Sequence, residues 1–405
     1  MSDLDASPPA DPETYDPVSF LAEMVQLPCH EDVTDARDLL VATLAEHGVD
    51  AAVDDAGNVL ATRTASGESA GAAGPHVVLN THLDTVSPDV PFERDRDATV
   101  EGETGVDVIH GRGACDAKGP LAALVGGFLS ADVGRGRLTL AITPDEEVLS
   151  LGAAALTGRL PGTEDALEGD LFLVGEPTGL DVCTAAKGRF EGTVELAGEN
   201  AHAAEFAGVN AVAAAEDALA AIRTFDAEAD EHPQLGPPKL TPTVVEGGGA
   251  TNQVPDRCAI TVDRRSVPPE SAGGFRDALE ADVRAAVDDA VGVAVSLTER
   301  DSPFLEAFAT DPDHRLPRTL REAIAGTRPE ATDAERGAGA RPFSAATEAS
   351  YFAPAPTVVF GPGDLADGDG AVAHADREYV RVREVEWATA AVERALSRLL
   401  SPEGA

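Results

Sequence analysis

Residues 137–153 read RLTLAITPDEEVLSLGA. Leu138, Leu140 and Ile142 recur at every second position, the period of a β-strand. Pro144 breaks the run, and Asp145, Glu146 and Glu147 follow at once. An apolar strand that leaves the core through three carboxylates is either ending in a solvated turn or delivering acids to a site. Other segments help decide between the two. HVVLNTHLD (76–84) ends in His82 and Asp84, and LFLVGEPT (171–178) delivers Glu176. TVVFGPG (357–363) is followed by AVAHADREYV (371–380), with His374. GRGACDAKGP (111–120) sets Asp116 just ahead of a helical run. His82, Asp116, Glu147 and Glu176 stand about 30 residues apart, the length of one βαβ unit. Each polar group is therefore expected at a successive strand exit, where open α/β sheets bind ligands.

The wider pattern agrees. Helices are predicted over 18–26, 35–47 and 120–131, around 150–160, and over 313–326 and 383–399. Apolar strands lie between them, with a long polar loop over 87–110. This alternation predicts an α/β fold, a mostly parallel sheet flanked by helices. Near Lys187 the order changes to β-α-β-β-α-β, the ferredoxin-like α+β module. The resulting division is a first catalytic part over 1–186, an inserted lid or dimerisation domain over 187–299, and a second catalytic part over 300–405. The N-terminal MSDLDASPPADPETYDP is acidic and proline-rich, without the basic and apolar regions of a signal peptide, and reads as a loose tail. No apolar run reaches the ~20 residues of a membrane span. A cytoplasmic protein is expected.

The 405 residues carry a net charge of −42. Lys118, Lys187 and Lys239 are the only lysines among 30 basic residues. Acids are scattered rather than blocked, so a solvated surface adapted to a salt-rich cytoplasm is the natural reading. Such a charge excludes nucleic acid as a partner. Four cysteines, at 29, 115, 183 and 258, show no paired C-x-x-C spacing and read as buried thiols.

Two histidines and several carboxylates without a thiolate suit zinc, cobalt or manganese. Five candidates, His82, Asp116, Glu147, Glu176 and His374, are enough for two metals sharing one carboxylate. Adjacent residues on an extended chain point apart. One of Glu146 and Glu147 can therefore hold a metal while the other moves a proton. Alone, Asp116 would also serve as a helix N-cap.

THLDTV, GRGACDAKGP, TPDEE, VGEPT and AHADREY together resemble the motifs of the co-catalytic dizinc deacylases and exopeptidases. That group includes succinyl-diaminopimelate desuccinylase, acetylornithine deacetylase, aminoacylase and glutamate carboxypeptidase. The resemblance spans roughly residues 18–395. It implies His82 and Glu176 on one zinc, Glu147 and His374 on the other, and Asp116 between them. Cobalt is the alternative metal. Glu146 is implied as general base and Asp84 as the residue orienting His82. GENAHAAEFAGVN (198–210) resembles the family's loop whose histidine, here His202, reaches across a homodimer to the substrate. GGGATNQVPDRCAITVDRRSVP (247–268) resembles the segment holding the substrate carboxylate, here through Asn252 and Arg265, with Arg264 an awkward neighbour. AATEASYF (345–352) departs from the family's Thr-Asp by placing Glu348 there. Lys118, Lys187 and Arg189, lying beside motifs, are either anion contacts or helix-cap and surface residues.

The implied reaction is removal of an N-acyl group from a small amino acid. It leans towards N-succinyl-diaminopimelate desuccinylation in lysine biosynthesis. N-acetylornithine deacetylation, release of lysine or ornithine from a carrier protein and carboxypeptidase action are alternatives. A catalytically inactive binding relative is the alternative of another class. If the charge reflects salt adaptation, dilution from molar to millimolar salt should unfold or inactivate the protein. Circular dichroism and activity across a salt series check this, and a flat response would remove the argument.

Overall fold

The computed structural model describes residues 14–65, 71–163, 166–327 and 339–402. The first part of the proline-rich tail lies outside the described residues.

The centre of the molecule is a nine-stranded sheet. Four neighbouring strands run parallel: Arg137–Thr143, His76–His82, Leu171–Val174 and Thr357–Val359. Their side chains are almost all buried, because helices cover both faces. The flanks run differently. Val59–Thr64 is antiparallel to Arg137–Thr143, and Val182–Ala186 pairs antiparallel with Phe308–Ala309. The sheet is thus mixed, with a parallel core. A parallel core sends four chain exits to one rim, and these carry His82, the Glu146–Glu147 turn, Glu176 and the segment leading to His374.

Helix Lys118–Ser130 is buried along nearly its whole length. It packs against the C-terminal helix Val382–Leu399 closely enough that a Cβ on Gly127 would lie 2.3 Å from Val392. The glycine pair in VGGF is therefore a close-packing device, and helix propensity is sacrificed for it.

The predicted polar loop over 87–110 is largely a hairpin, Glu93–Val100 with Glu103–His110, joined by Tyr379–Arg381 into a separate three-stranded sheet. Only Ala98, Val100, Val106, Val108 and Ile109 turn inward, and charges cover the rest. The strand signal is sparse for that reason. One consequence corrects the strand-exit reading: Asp116 follows this hairpin and does not leave a strand of the central sheet. It reaches the same rim from the turn before helix Lys118–Ser130.

The inserted module follows the expected order. Strands Lys239–Gly247, Arg257–Ser266, Gly188–Ala197 and Gly292–Leu297 form one antiparallel sheet, covered by helices Ala211–Thr224 and Ala272–Ala286. This is the ferredoxin-like arrangement. Alternation along Arg257–Ser266 separates the two arginines. Arg264 points into the module, bonded to Asp226 and Glu270 at 2.7 and 2.8 Å and lying over the rings of Phe225 and Phe275. Arg265 points to the other face, beside Arg189 in register.

Arg264 is thus a structural cation, and its removal leaves two acids without their partner. Arg264→Ala should destabilise the protein by roughly 3 kcal/mol. Denaturant unfolding in molar salt checks this, with Arg265→Ala as the near-neutral comparison.

Candidate metal centre

The opening triplet of acids divides its labour. Asp145 accepts the backbone N–H groups of Leu151 and Gly152 at 2.7 and 2.8 Å, closing the turn onto helix Leu151–Leu156. Glu146 and Glu147 occupy the turn itself. The expectation of an extended chain there is corrected: a turn, and not strand alternation, disposes these two side chains. Their backbone N–H groups both donate to Asp84, to Oδ1 and Oδ2 respectively, each at 2.9 Å. Asp84 therefore ties the exit of strand His76–His82 to the acidic turn of the neighbouring strand.

Asp84 also faces His82. The His82 Nδ1 lies 3.0 Å from the Asp84 carbonyl oxygen and 3.3 Å from its carboxylate. Nδ1 thus has acceptors, which leaves Nε2 as the nitrogen free to face a metal. That Nε2 is buried and makes no hydrogen bond of normal geometry; Asp116 Oδ1 stands 3.5 Å away. Asp116 Oδ2 lies 3.2 Å from His374 Nε2, which is also 3.0 Å from Glu147 Oε1. One ligand atom each from His82, Asp116 and Glu147 falls within 4.8 Å of the others. Glu176 is buried beside this group, its Oε1 accepting from the Thr347 hydroxyl at 3.0 Å. His374 adopts φ 62°, the left-handed region costly for a non-glycine residue, as functional sites often require.

The electrostatics are those of a site built for cations. Burial pushes the Glu146 and Glu176 carboxyls well up, and the charge of a neighbour, Glu176 and Asp116 respectively, pushes further. Burial opposes charge on His82, yet Asp116 and Asp84 raise it well above the ordinary imidazole range. Donation to the Asp116 and Glu147 carboxylates raises His374 to about 10. So many carboxylates in one place demand positive charge, and both imidazoles are shifted towards their charged form. A divalent cation would supply that charge, so the residues present fit the metal the sequence implies.

The remaining sequence candidates fall into place unevenly. Asp116 is no helix cap, since Ala117 occupies that position without a side-chain bond. Cys115 is buried packing, and all four cysteines are free thiols. Lys118 is buried and donates to the carbonyl oxygens of Met24 and Leu27, so it anchors helix Pro17–Val25 rather than meeting an anion. Lys187 donates to the Pro237 carbonyl. His202 and Asn252 sit together on the module surface, where the Ala203 N–H donates to the Asn252 carbonyl at 2.9 Å. Among the described residues, neither bonds to the five metal candidates. Arg265 donates to Asp263, which Arg189 also faces at 3.5 Å.

Sequence reasoning left Glu348 in doubt and gave no part to Thr347, Arg112 or Glu378. Glu348 is buried and accepts from the Thr143 hydroxyl at 2.7 Å; burial raises its carboxyl to about 8. Its position directly after Thr347, which holds Glu176, was the available signal. Glu378 lies fully buried between the Asp116 turn and the His374 loop.

Comparison with known proteins agrees with this geometry. The model of peptidase family M20/M25/M40 matches residues 78–398. The chain belongs to that family. A provisionally named LysW-lysine/LysW-ornithine hydrolase of Pyrobaculum aerophilum is 30% identical over 374 residues, 92% of this chain and 94% of that protein. Acetylornithine deacetylase of Salmonella paratyphi B is 28% identical over 325 residues, 78% of each chain. The aminopeptidase PepT of Bacillus cereus shares the fold, with a TM-score of 0.69 at 19% identity over 95% of this chain and 98% of its own. This M20 chain is therefore a metal-dependent hydrolase of the deacylase and peptidase family, acting on small acylated amino-acid-like substrates. No helix among the described residues is long and apolar enough to cross a membrane.

Asp84 has no role in the sheet, yet it orients one metal candidate and both glutamates. Asp84→Asn should lower metal affinity about 10–100-fold, the usual effect of losing such a partner. Titration of metal-stripped protein with zinc checks this, and His82→Ala should fail to retain full metal.

Proposed function

We propose that the protein is a dinuclear deacylase that hydrolyses the amide of an N-acylated amino acid. The carrying observation is that the two Asp116 oxygens face different histidines, His82 and His374. That disposition supports Asp116 as the shared ligand, with His82 and Glu176 on one metal and Glu147 and His374 on the other. Zinc fits the imidazole and carboxylate donors best, and cobalt fits them as well. The metals, when bound, supply Lewis acidity towards the scissile carbonyl and the attacking water.

The chain's own residues do the rest. Glu146 is kept off the ligand set and lines a cavity of about 230 Å³ beside Glu147. It takes the proton of the attacking water and passes it to the leaving nitrogen. Burial raises its proton affinity, the direction that role requires.

Arg189 and Arg300 line the same cavity. Two guanidinium groups at the mouth of an acidic site, in a chain of net charge −42, favour a substrate with more than one carboxylate. Asn252 and Arg265 would hold the amino-acid carboxylate. His202 would act from a second copy of the chain, in a cytoplasmic homodimer. Within this class, N-succinyl-diaminopimelate is the favoured substrate, with N-acetylornithine next. The Pyrobaculum relative supports a second reading, the release of lysine or ornithine from LysW.

A panel of N-succinyl-diaminopimelate, N-acetylornithine and simple N-acyl amino acids, run in molar salt with added zinc or cobalt, tests the assignment. Hydrolysis should be abolished by chelation and fastest where the acyl group carries a carboxylate. Turnover of none of these would overturn the deacylase reading. Glu146→Gln should keep its metals and lose about 10²–10⁴ in kcat. Mixed with His202→Ala, it should regain activity if the site is shared between copies.

A further inference from the structure

The Asp116 turn and the His374 loop are 258 residues apart in sequence, yet one buried side chain joins them. Glu378 has no exposure to solvent. Its Oε1 accepts the backbone N–H groups of Cys115 at 3.1 Å and Asp116 at 3.2 Å. Its Oε2 receives the Arg112 guanidinium at 2.8 Å. The main chains are pinned as well. The Gly111 N–H donates to the Glu378 carbonyl at 3.2 Å, and Arg112 also donates to the Ala375 carbonyl at 3.3 Å. Tyr379 pairs with His110 in the three-stranded sheet.

We infer that Glu378 is a positioning residue that fixes the shared ligand Asp116 against the terminal ligand His374, and so sets the separation of the two metals. This rests on the dinuclear reading above. The physical argument is one of constraint. Asp116 sits in a turn closed by the Ala114 N–H on the Gly111 carbonyl and the Lys118 N–H on the Gly113 carbonyl, and among side chains it is Glu378 that accepts its own N–H. A carboxylate does this while its second oxygen neutralises a buried arginine, and neither task can be dropped alone. An amide in the same place keeps one acceptor but turns a donor towards the Arg112 guanidinium, leaving that buried charge uncompensated. The turn then relaxes, and Asp116 no longer spans the gap between His82 and His374. His82, held from the other side by Asp84, keeps its place. The expected damage therefore falls on the ion that depends on His374.

The test uses full-length, metal-stripped wild type, Glu378→Gln and Glu378→Asp in molar salt. Each is titrated with cobalt by calorimetry and by visible absorption, then assayed. Wild type should bind two ions. Glu378→Gln should bind the second at least tenfold more weakly, show a changed cobalt spectrum at saturation, and lose at least tenfold in kcat with KM within about twofold. Glu378→Asp keeps the charge but shortens the reach. It should show the same spectral change in milder form and serves if the amide variant does not fold. A wild type that binds two ions beside variants with unchanged affinity and spectrum would overturn the inference while leaving the dinuclear reading intact. A wild type that binds no ion would overturn both.

Discussion

Carboxylates crowded at one rim of a parallel sheet repel one another, and the rest of the structure is arranged to hold them there. Asp116, Glu146, Glu147, Glu176 and Glu348 converge on a region that also holds the imidazoles of His82 and His374. Burying like charges together is unfavourable unless a cation compensates them. The fold meets the cost in pieces: Asp84 collects two backbone donors, Thr347 and Thr143 supply hydroxyls, and Arg112 sits behind Glu378. The site is a cation receptor first, and its hydrolytic chemistry follows from what such a cation does to an amide and to water.

The second constraint is geometric. Four parallel strands aim their C-terminal ends at one rim, which explains how residues far apart in sequence meet. His374 arrives by a long excursion after Thr357–Val359 and pays with a left-handed backbone. Asp116 arrives from outside the sheet altogether. The ferredoxin-like module brings Arg189 to the same cavity as Glu146 and Glu147 at this rim.

Much of this was legible in the residues. Alternating apolar runs marked the parallel strands because buried strands need them, and the polar residues at their ends stood out against that background. The module was readable from its β-α-β-β-α-β order. The charged hairpin over 93–110 was not, because only five of its side chains face inward. The Glu146–Glu147 turn was misread as extended, since nothing in the sequence shows that Asp84 gathers both N–H groups. Glu378 was invisible for a similar reason: its partners are backbone groups more than two hundred residues away, which no local pattern encodes. The role of Lys118 stayed open in the sequence because its partners are the backbone carbonyls of Met24 and Leu27, more than ninety residues away.

The burial of this lysine has a practical corollary. With Lys118 only 1% exposed, the accessible side-chain amines reduce to Lys187 and Lys239, both at the inserted module. Apart from the N-terminal amine, a dye or tether coupled through nitrogen lands on the module and leaves the catalytic sheet unmarked. The chain thus comes with a nearly site-specific handle on the element that shares a cavity with Glu146 and Glu147, and a probe can be placed there without engineering a new attachment point.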